Sequence, residues 1–152
     1  MNENQNQNQI ENHSWLCKQA LRTLIKKGDP RALALVGVFQ NHKLKLTHQS
    51  CKPEKVGMGG HLEMKIQIQS QEKKSITCLV DYAFYFKKAN GSHSKKVFKG
   101  KKLQLNPGET ILMVKKHHLK NISTMQFYPG EQYLTFVVNG LETQKIKWVL
   151  QG

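Results

Sequence analysis

The sequence predicts a mainly β fold, an antiparallel β-sandwich of seven or eight strands preceded by a short helical hairpin. Apolar residues recur with a helical period up to about residue 37, and from about residue 39 they alternate with polar residues. Asn90-Gly91 and Asn139-Gly140, which favour two-residue hairpin turns, separate alternating segments. We therefore divide the 152 residues into a polar tail (1–13), a helical hairpin (14–37) and a β-sandwich (38–152).

The first thirty-seven residues change from a polar tail into two short helices. Residues 2–12 are rich in Asn and Gln, too polar to offset the entropy of ordering, so we expect a disordered tail. Ser14 is a candidate N-cap for a helix from about Trp15 to Lys27. Asp29-Pro30 then supplies the N-cap and first residue of a second helix, which Gly37 closes.

Two short helices cannot bury their apolar stripes on each other alone, so the hairpin is expected to dock elsewhere. The candidate docking residues, which recur at helical spacing on the first helix, are Leu16, Ala20 and Leu24. The docking partner is the β domain itself, a helical-repeat protein or a second copy of the chain.

The remainder of the chain alternates with period two. We predict strands at 42–48, 62–68, 75–88, 110–116, 133–138 and 141–150, and two short strands within 95–105 joined near Gly100. The strand at 75–88 is the most apolar and is expected to be central, whereas the glycine-rich segment 56–60 is interpreted as a mobile loop. This spacing is typical of an immunoglobulin-like sandwich, and a closed barrel is the main alternative.

The composition is strongly basic, with a formal net charge of +14 and a pI of about 9.8. Such a charge indicates a polyanionic partner, nucleic acid first, or simply a solvated basic surface. Three cysteines without CxxC spacing favour a reducing compartment, which we take to be the cytoplasm. No secretory signal and no apolar run of about 20 residues are present, so we expect no membrane association.

Residues arranged for catalysis or cofactor binding are not found in the sequence. The segment 56–60 lacks the helix and the Lys-Ser/Thr ending of a phosphate-binding loop, and His117-His118 would face opposite ways on a strand. Asp81 lies within the most apolar strand, where it either points outward or pairs with a lysine or a backbone amide. We therefore predict no metal site, no cofactor and no enzymatic activity.

The segment from Lys87 to Lys120 contains ten lysines and one glutamate. These lysines are Lys87, Lys88, Lys95, Lys96, Lys99, Lys101, Lys102, Lys115, Lys116 and Lys120. Because they fall on strand ends and turns, several can converge on one rim and bind the phosphates of DNA without reading its bases. The alternative is that they only protect strand edges against aggregation.

Several short motifs, in order along the chain, resemble the C-terminal extension of certain bacterial DNA alkylation repair proteins. They are Val80-Asp81-Tyr82, residues 86–91, residues 96–99, Pro107-Gly108-Glu109, Lys116-His117, Tyr128-Pro129-Gly130 and Val138-Asn139-Gly140. The segment 20–30, with residues 32–35, is similar to the end of the helical-repeat domain that precedes this extension.

The resemblance implies a connection with alkylated DNA. In that family, HEAT-like repeats cradle damaged DNA and carry the residues credited with glycosylase action. Those repeats are not in this sequence, so no catalytic residue is carried over and glycosylase activity is the least expected alternative. We expect a non-catalytic accessory domain that binds nucleic-acid phosphates through a lysine-rich rim; the alternative is a protein-interaction or self-assembly module that docks through its helical hairpin.

Overall fold

The computed structural model of the chain describes residues 18–120 and 126–152. The predicted polar tail, its neighbour Ser14 and the docking residue Leu16 lie outside the described residues. Within the described part of the chain, no helix is long and apolar enough to span a membrane.

The hairpin predicted at 14–37 is helical where it is described. The first helix, α1, includes residues 18–26, and the second, α2, spans Pro30–Leu35. Asp29 caps α2, because its Oδ1 accepts hydrogen bonds from the backbone N–H groups of Arg31 at 3.0 Å and Ala32 at 3.1 Å. The predicted cap and the proline at the first helical position are thus confirmed.

The β domain consists of two packed sheets. The strands are β1 (Leu44–Lys52), β2 (Lys55–Gly57), β3 (His61–Ser70), β4 (Ile76–Lys87), β5 (His93–Leu105), β6 (Thr110–His118), β7 (Gly130–Val138), β8 (Leu141–Glu142) and β9 (Ile146–Gln151). The smaller sheet has the order β1-β3-β6, and the larger has the order β2-β9-β7-β4-β5, with β8 paired to β7. Seven strands have six or more residues, in agreement with the predicted sandwich.

Four predictions about strands are corrected. The segment 141–150, predicted as one strand, is divided into β8 and β9, with residues 143–145 between them. The segment predicted as two short strands joined near Gly100 is the single strand β5, which bulges there instead of turning. The segment 56–60, interpreted as a loop, begins with strand β2, which pairs in parallel with β9 and is an exception to the antiparallel pattern. Strand β1 lies two residues later than predicted at its start and runs on to Lys52, past a register shift between Thr47 and Ser50.

The core lies between the sheets and follows the predicted alternation. On β3, the side chains at 62, 64, 66 and 68 are fully buried, and the facing strands contribute Phe84, Phe136 and Trp148. Each such side chain stabilises the fold by roughly 1.5–3 kcal/mol relative to an exposed one. Cys51 and Cys78 are buried free thiols, and burial raises the pKa of each to about 12. They therefore serve the core as small apolar groups.

The helical hairpin docks on the sandwich through the β7–β8 turn. Leu33 of α2 is fully buried, and the Gln40 side chain donates a hydrogen bond to the Gly28 carbonyl at 3.0 Å. A Cβ on Gly140 would lie 2.7 Å from Leu33 Cδ1 and 3.0 Å from Gly28 Cα, so only glycine fits. Asn139, which has a φ of 50°, accepts from Leu79 N–H through Oδ1 at 2.9 Å.

The pairing of β4 with β5 is interrupted by a β-bulge near the middle of both strands. Val80 pairs with Lys101 and Tyr82 with Phe98, so Asp81 faces two residues on β5. Asp81, which is 8% exposed, accepts a hydrogen bond from the Gly100 N–H through Oδ1 at 2.8 Å. The expectation that Asp81 pairs with a backbone amide is confirmed.

Gly100 has no room for a side chain, which gives a direct test of the bulge. A Cβ there would lie 1.9 Å from the carbonyl oxygen of Val80, which cannot move without disturbing the central strand. We expect Gly100→Ala to lower the free energy of unfolding by about 2–4 kcal/mol, measured by urea denaturation. The matched control is Gly57→Ala, which meets no atom within 4 Å and should cost under about 0.5 kcal/mol. Equal losses in the two variants would contradict the steric argument.

Candidate functional site

Seven of the ten predicted lysines lie on strands β5 and β6. Strand β5 ends the larger sheet and β6 ends the smaller one. The two strands are joined by the short turn 106–109 and are linked across the sandwich by His117 and Phe98, whose ring centroids are 4.7 Å apart. They therefore border the same side of the sandwich. We call this side the lysine edge, with Lys95, Lys96, Lys99, Lys101, Lys102, Lys115 and Lys116 as its members.

Three members of the lysine edge are aligned with core residues. Lys96 pairs with Phe84, Lys101 with Val80 and Lys115 with Met64, and each of these partners is fully buried. Directly paired residues point to the same face of a sheet, so these three side chains border the gap between the two sheets. We call Lys96, Lys101 and Lys115 the cleft lysines.

His117 lies at the floor of this gap. Its ring packs against Phe84 and Phe98, each at 4.7 Å between centroids, and its Nδ1 lies 3.2 Å from the hydroxyl of Tyr82. Burial lowers the pKa of His117 to about 4, with further lowering by the positive groups of His118, Lys96 and Lys115. Two of the three cleft lysines thus act on one imidazole, which is neutral at pH 7.

The sequence alone did not single out His117 for this role. The sequence indicates only a His-His pair whose rings face opposite ways. This is confirmed, since the His117 ring packs on the buried Phe84, whereas the His118 ring lies 5.6 Å from that of the exposed His61. The available signal was the alternation on β6, which places residues 113, 115 and 117 on one face. Among the described residues there is no group of three His, Cys, Asp or Glu side chains suited to a metal ion.

Most of the lysine edge is free of carboxylate partners. Within the described ranges, Lys95 is the one lysine of the ten with an ion pair, formed with Glu142. Glu142 also accepts a hydrogen bond from the hydroxyl of Tyr85 at 2.6 Å. The positive charge of Lys95 is therefore partly neutralised, and the cleft lysines make no such ion pair within 4 Å in the described part of the chain.

Asp81 adds a single buried negative charge behind the edge. Burial raises its pKa, and the Gly100 N–H together with the charges of Lys99 and Lys26 opposes that rise. Lys99 of the bulge and Lys26 of α1 therefore act on the same carboxylate from different elements. Lys26 was not among the predicted site residues because nothing in its local sequence connects α1 with β4.

The other three predicted lysines lie at one end of the lysine edge. Lys87 ends β4 opposite His93, the first residue of β5, and Lys88 follows in the turn. Lys120 lies two residues beyond the end of β6. Because β5 and β6 are connected at their opposite ends, His93 and His118 lie at the same end of the sandwich. The predicted lysines are thus distributed along one side and one end of the domain.

The predicted docking residues on α1 are exposed where the structure describes them. Leu24 is 41% exposed, and Ala20 is also exposed. Two further apolar side chains nearby in the chain are open to solvent, Leu35 at 78% and Phe39 at 44%. Leu33, on the same short helix α2, is buried against the sandwich. The hairpin therefore uses one face for the β domain and leaves other apolar residues uncovered.

Comparison with known proteins places residues 45–152 under the family model described as uncharacterised protein YhaZ, C-terminal Ig-like domain. The chain is 33% identical over 126 residues to the uncharacterized protein YhaZ of Bacillus subtilis. That alignment covers 83% of this chain and 35% of YhaZ, so the chain spans about a third of the relative's length.

Among solved structures, the chain is similar to the alkylpurine DNA glycosylase AlkC of Pseudomonas fluorescens, bound to DNA containing an abasic site analog. The TM-score is 0.85 with 29% identity, over 91% of this chain and 39% of AlkC. A β-glucosidase from Listeria innocua matches with a TM-score of 0.61 at 13% identity, over 74% of this chain and 16% of that enzyme. The likeness to the β-glucosidase concerns the fold alone.

The depressed pKa of His117 makes the stability of the domain depend on pH. The unfolded imidazole binds a proton near pH 6.5, whereas the folded one does so only near pH 4. Between these values the unfolded state holds more protons, so stability falls as the pH falls, by about 1–2 kcal/mol once solvent screening of the partly exposed ring is included. The free energy of unfolding is measured by urea denaturation at pH 7, 5.5 and 4.5. We expect it to fall less with decreasing pH in His117→Gln than in the native chain, and to fall as much as in the native chain in the control His61→Gln. A His117→Gln profile parallel to that of the native chain would contradict this explanation.

Proposed function

The chain belongs to the family of the YhaZ C-terminal Ig-like domain, and from that premise we propose that it is a non-catalytic domain that binds DNA phosphates through its lysine edge. It is related to the DNA alkylation repair protein AlkC by its fold and sequence. The observation that carries the proposal is the convergence of lysines from two sheets on one side of the sandwich, where six of the seven make no ion pair with the described residues.

The dimensions of the lysine edge suit a nucleic-acid backbone. Lys95 and Lys102 are seven residue steps apart on β5, a distance of about 23 Å along a strand. Over that length one strand of B-form DNA carries about seven phosphates. Lys115 and Lys116 on β6 supply a second, neighbouring row of positive charge. An extended polyanion can therefore contact several lysines at once.

The chemistry of the edge favours binding without base recognition. All seven members are lysines, which act as point charges, whereas guanine is most often read by the planar fork of an arginine. The buried acid Asp81 is engaged by the backbone of Gly100, which supports a structural role for it. AlkC was solved with bound DNA, and this supports DNA as the polyanion.

Salt dependence of DNA binding tests the proposal. We expect the chain to bind a fluorescein-labelled duplex, with the logarithm of its binding constant falling against the logarithm of salt concentration with a slope of about −4 to −6. Replacing the cleft lysines together, as Lys96→Gln, Lys101→Gln and Lys115→Gln, should reduce the magnitude of the slope by about 2.7, or 0.9 for each lost phosphate contact. Fluorescence anisotropy between about 50 and 200 mM salt measures both values.

A charge-matched control separates local binding from net charge. Lys43→Gln, Lys45→Gln and Lys55→Gln remove the same total charge next to or on β1 and β2, strands that end the two sheets away from β5 and β6. This variant should keep the native slope within about one unit. Equal reductions in the two triple variants, or no detectable binding by the native chain at low salt, would refute the lysine edge as the binding surface. Indifference to duplex sequence is also expected.

A protein-interaction module is the second candidate, because the hairpin leaves large apolar side chains uncovered. Leu35 is 78% exposed on a helix whose neighbour Leu33 is fully buried, and Leu24 is 41% exposed on α1. A helical layer, from a helical-repeat protein or from a second copy, would cover such residues.

Self-association through the hairpin is tested by light scattering. If the partner is a second copy, the native chain should show a mass that rises with concentration, and Leu24→Glu with Leu35→Glu should hold it at the monomer mass. Leu141→Glu is the control, since Leu141 is equally open, at 53%, but lies on β8. A native chain that stays monomeric at about 100 μM would exclude the second copy and leave a helical-repeat protein as the partner to be tested.

A further inference from the structure

A groove of about 720 Å³ lies between the first half of β1 and the segment that contains β8. One wall is the first half of β1, and the other is the segment from Val138 to Ile146, which includes β8 and the start of β9. The floor is apolar, with contributions from Leu44, Leu46 and Ile146, which are partly buried and pack on the core. The rim carries hydroxyl and amide side chains, including those of Thr47, Thr143 and Gln144.

The backbone of β1 leaves hydrogen-bonding groups free on the groove side. Within the described residues, β3 is the single strand that pairs with β1. The Gln71 N–H donates to the Lys43 carbonyl at 2.9 Å, whereas the Ser70 N–H donates to Glu109 beyond β6. In an antiparallel ladder every second residue hydrogen-bonds to the neighbouring strand. The backbone N–H and C=O groups of Lys45 and Thr47 therefore point toward β3. The N–H and C=O groups of Leu44 and Leu46 therefore point away from β3, toward the groove.

The free strand edges on the two sides of the sandwich differ in charge. The lysine edge carries seven lysines on β5 and β6, and charged side chains of this kind deter pairing with another strand. Over the stretch of β1 that lines the groove, Leu44 to Gln49, Lys45 is the one lysine. An edge with alternating apolar side chains and little charge is a template for an added strand.

The charges around the groove select the partner. Lys43, Lys45 and Lys145 flank it, and His42, which lines it, has a buried Nδ1 without a hydrogen-bond partner in the described structure. Glu142 is the one acidic residue of the lining, and it is already engaged by Lys95 and Tyr85. Lys145 lies over the Tyr85 ring at 4.4 Å and its charge acts on Glu142, and the Lys43 N–H donates a hydrogen bond to the Glu72 carboxylate at 2.8 Å. Three lysines beside these two carboxylates still leave a net positive charge around the groove, and acidic residues next to an inserted strand would complement it.

We propose that this groove binds an extended peptide segment of a partner protein, which adds a strand to the free edge of β1. The peptide places alternate apolar side chains on Leu44, Leu46 and Ile146, and its flanking acidic residues face the three lysines. Backbone hydrogen bonds to Leu44 and Leu46 hold the peptide, and the apolar floor and the charges select it. The groove is built on strands other than β5 and β6, and its Glu142 is ion-paired with Lys95 of the lysine edge. Peptide binding there does not require DNA binding.

Hydrogen exchange at single amides tests the backbone contacts. The probe is a short fluorescein-labelled peptide that alternates valine and threonine and ends in glutamates. On binding, we expect the exchange of the Leu44 and Leu46 amides in the full chain to slow at least about tenfold, measured by NMR, with little change at Lys45 and Thr47, which already pair with β3. Protection that appears equally at all four amides, or at none, would overturn the proposal.

Modified peptides and variants identify what holds the peptide. A peptide methylated on the backbone nitrogens that face β1 should bind the native chain at least about tenfold more weakly than the unmodified peptide. The protein variant Lys145→Glu should bind the unmodified peptide more weakly by a similar factor. Lys102→Glu, the same charge change on β5, should leave the affinity within about twofold. Equal binding of methylated and unmethylated peptides would overturn strand addition. Protection of Leu44 and Leu46 that rises with protein concentration without any peptide would assign the groove to a second copy and overturn the peptide partner.

Discussion

An open sandwich of two sheets has strand edges that no neighbour covers, and this constraint organises the surface of the domain. Strands β5 and β6 end the two sheets on one side, and β1 has a free edge on the other. Unpaired N–H and C=O groups at such edges attract other strands, so a stable soluble protein has to manage them. Here one side is covered with lysines, and the other retains an apolar groove. Both candidate surfaces therefore arise from the same topological fact.

Protection of the edge alone does not account for where its lysines lie. A charged side chain deters strand pairing equally well when it points outward. Lys102 and Lys116 do so, because each pairs with a residue on the outer face of its sheet. Lys96 and Lys115 instead border the gap between the sheets, where their charges act on the buried imidazole of His117. Burial and these two charges keep the imidazole neutral at pH 7. Shifted pKa values of this kind are concentrated at functional sites, which supports a ligand-binding role for the gap.

The sequence predicted the secondary-structure elements better than it predicted which elements lie next to each other. The alternation on β3 and β4, the Asp29-Pro30 helix start and the Asn139-Gly140 turn are local signals, and each was confirmed. A glycine between two lysines predicts a turn as well as a bulge, and what decides for the bulge is the approach of the Val80 carbonyl from the neighbouring strand. Strand β2 was missed because three residues hold too little pattern, and its pairing partner β9 lies about ninety residues away.

The difference between local signals and long-range packing also explains which parts of the site were predictable. That lysines cluster between residues 87 and 120 is visible in the sequence, but their convergence depends on β5 and β6 ending different sheets on the same side. The turn at 106–109 alone would be compatible with a hairpin, in which the two strands pair and their charges spread over one sheet. The strands instead part after the turn, β5 joining β4 and β6 joining β3, so that charges from two sheets face one gap. A polyanion lying along that gap would neutralise both rows together and relieve a repulsion that neither sheet can relieve by itself.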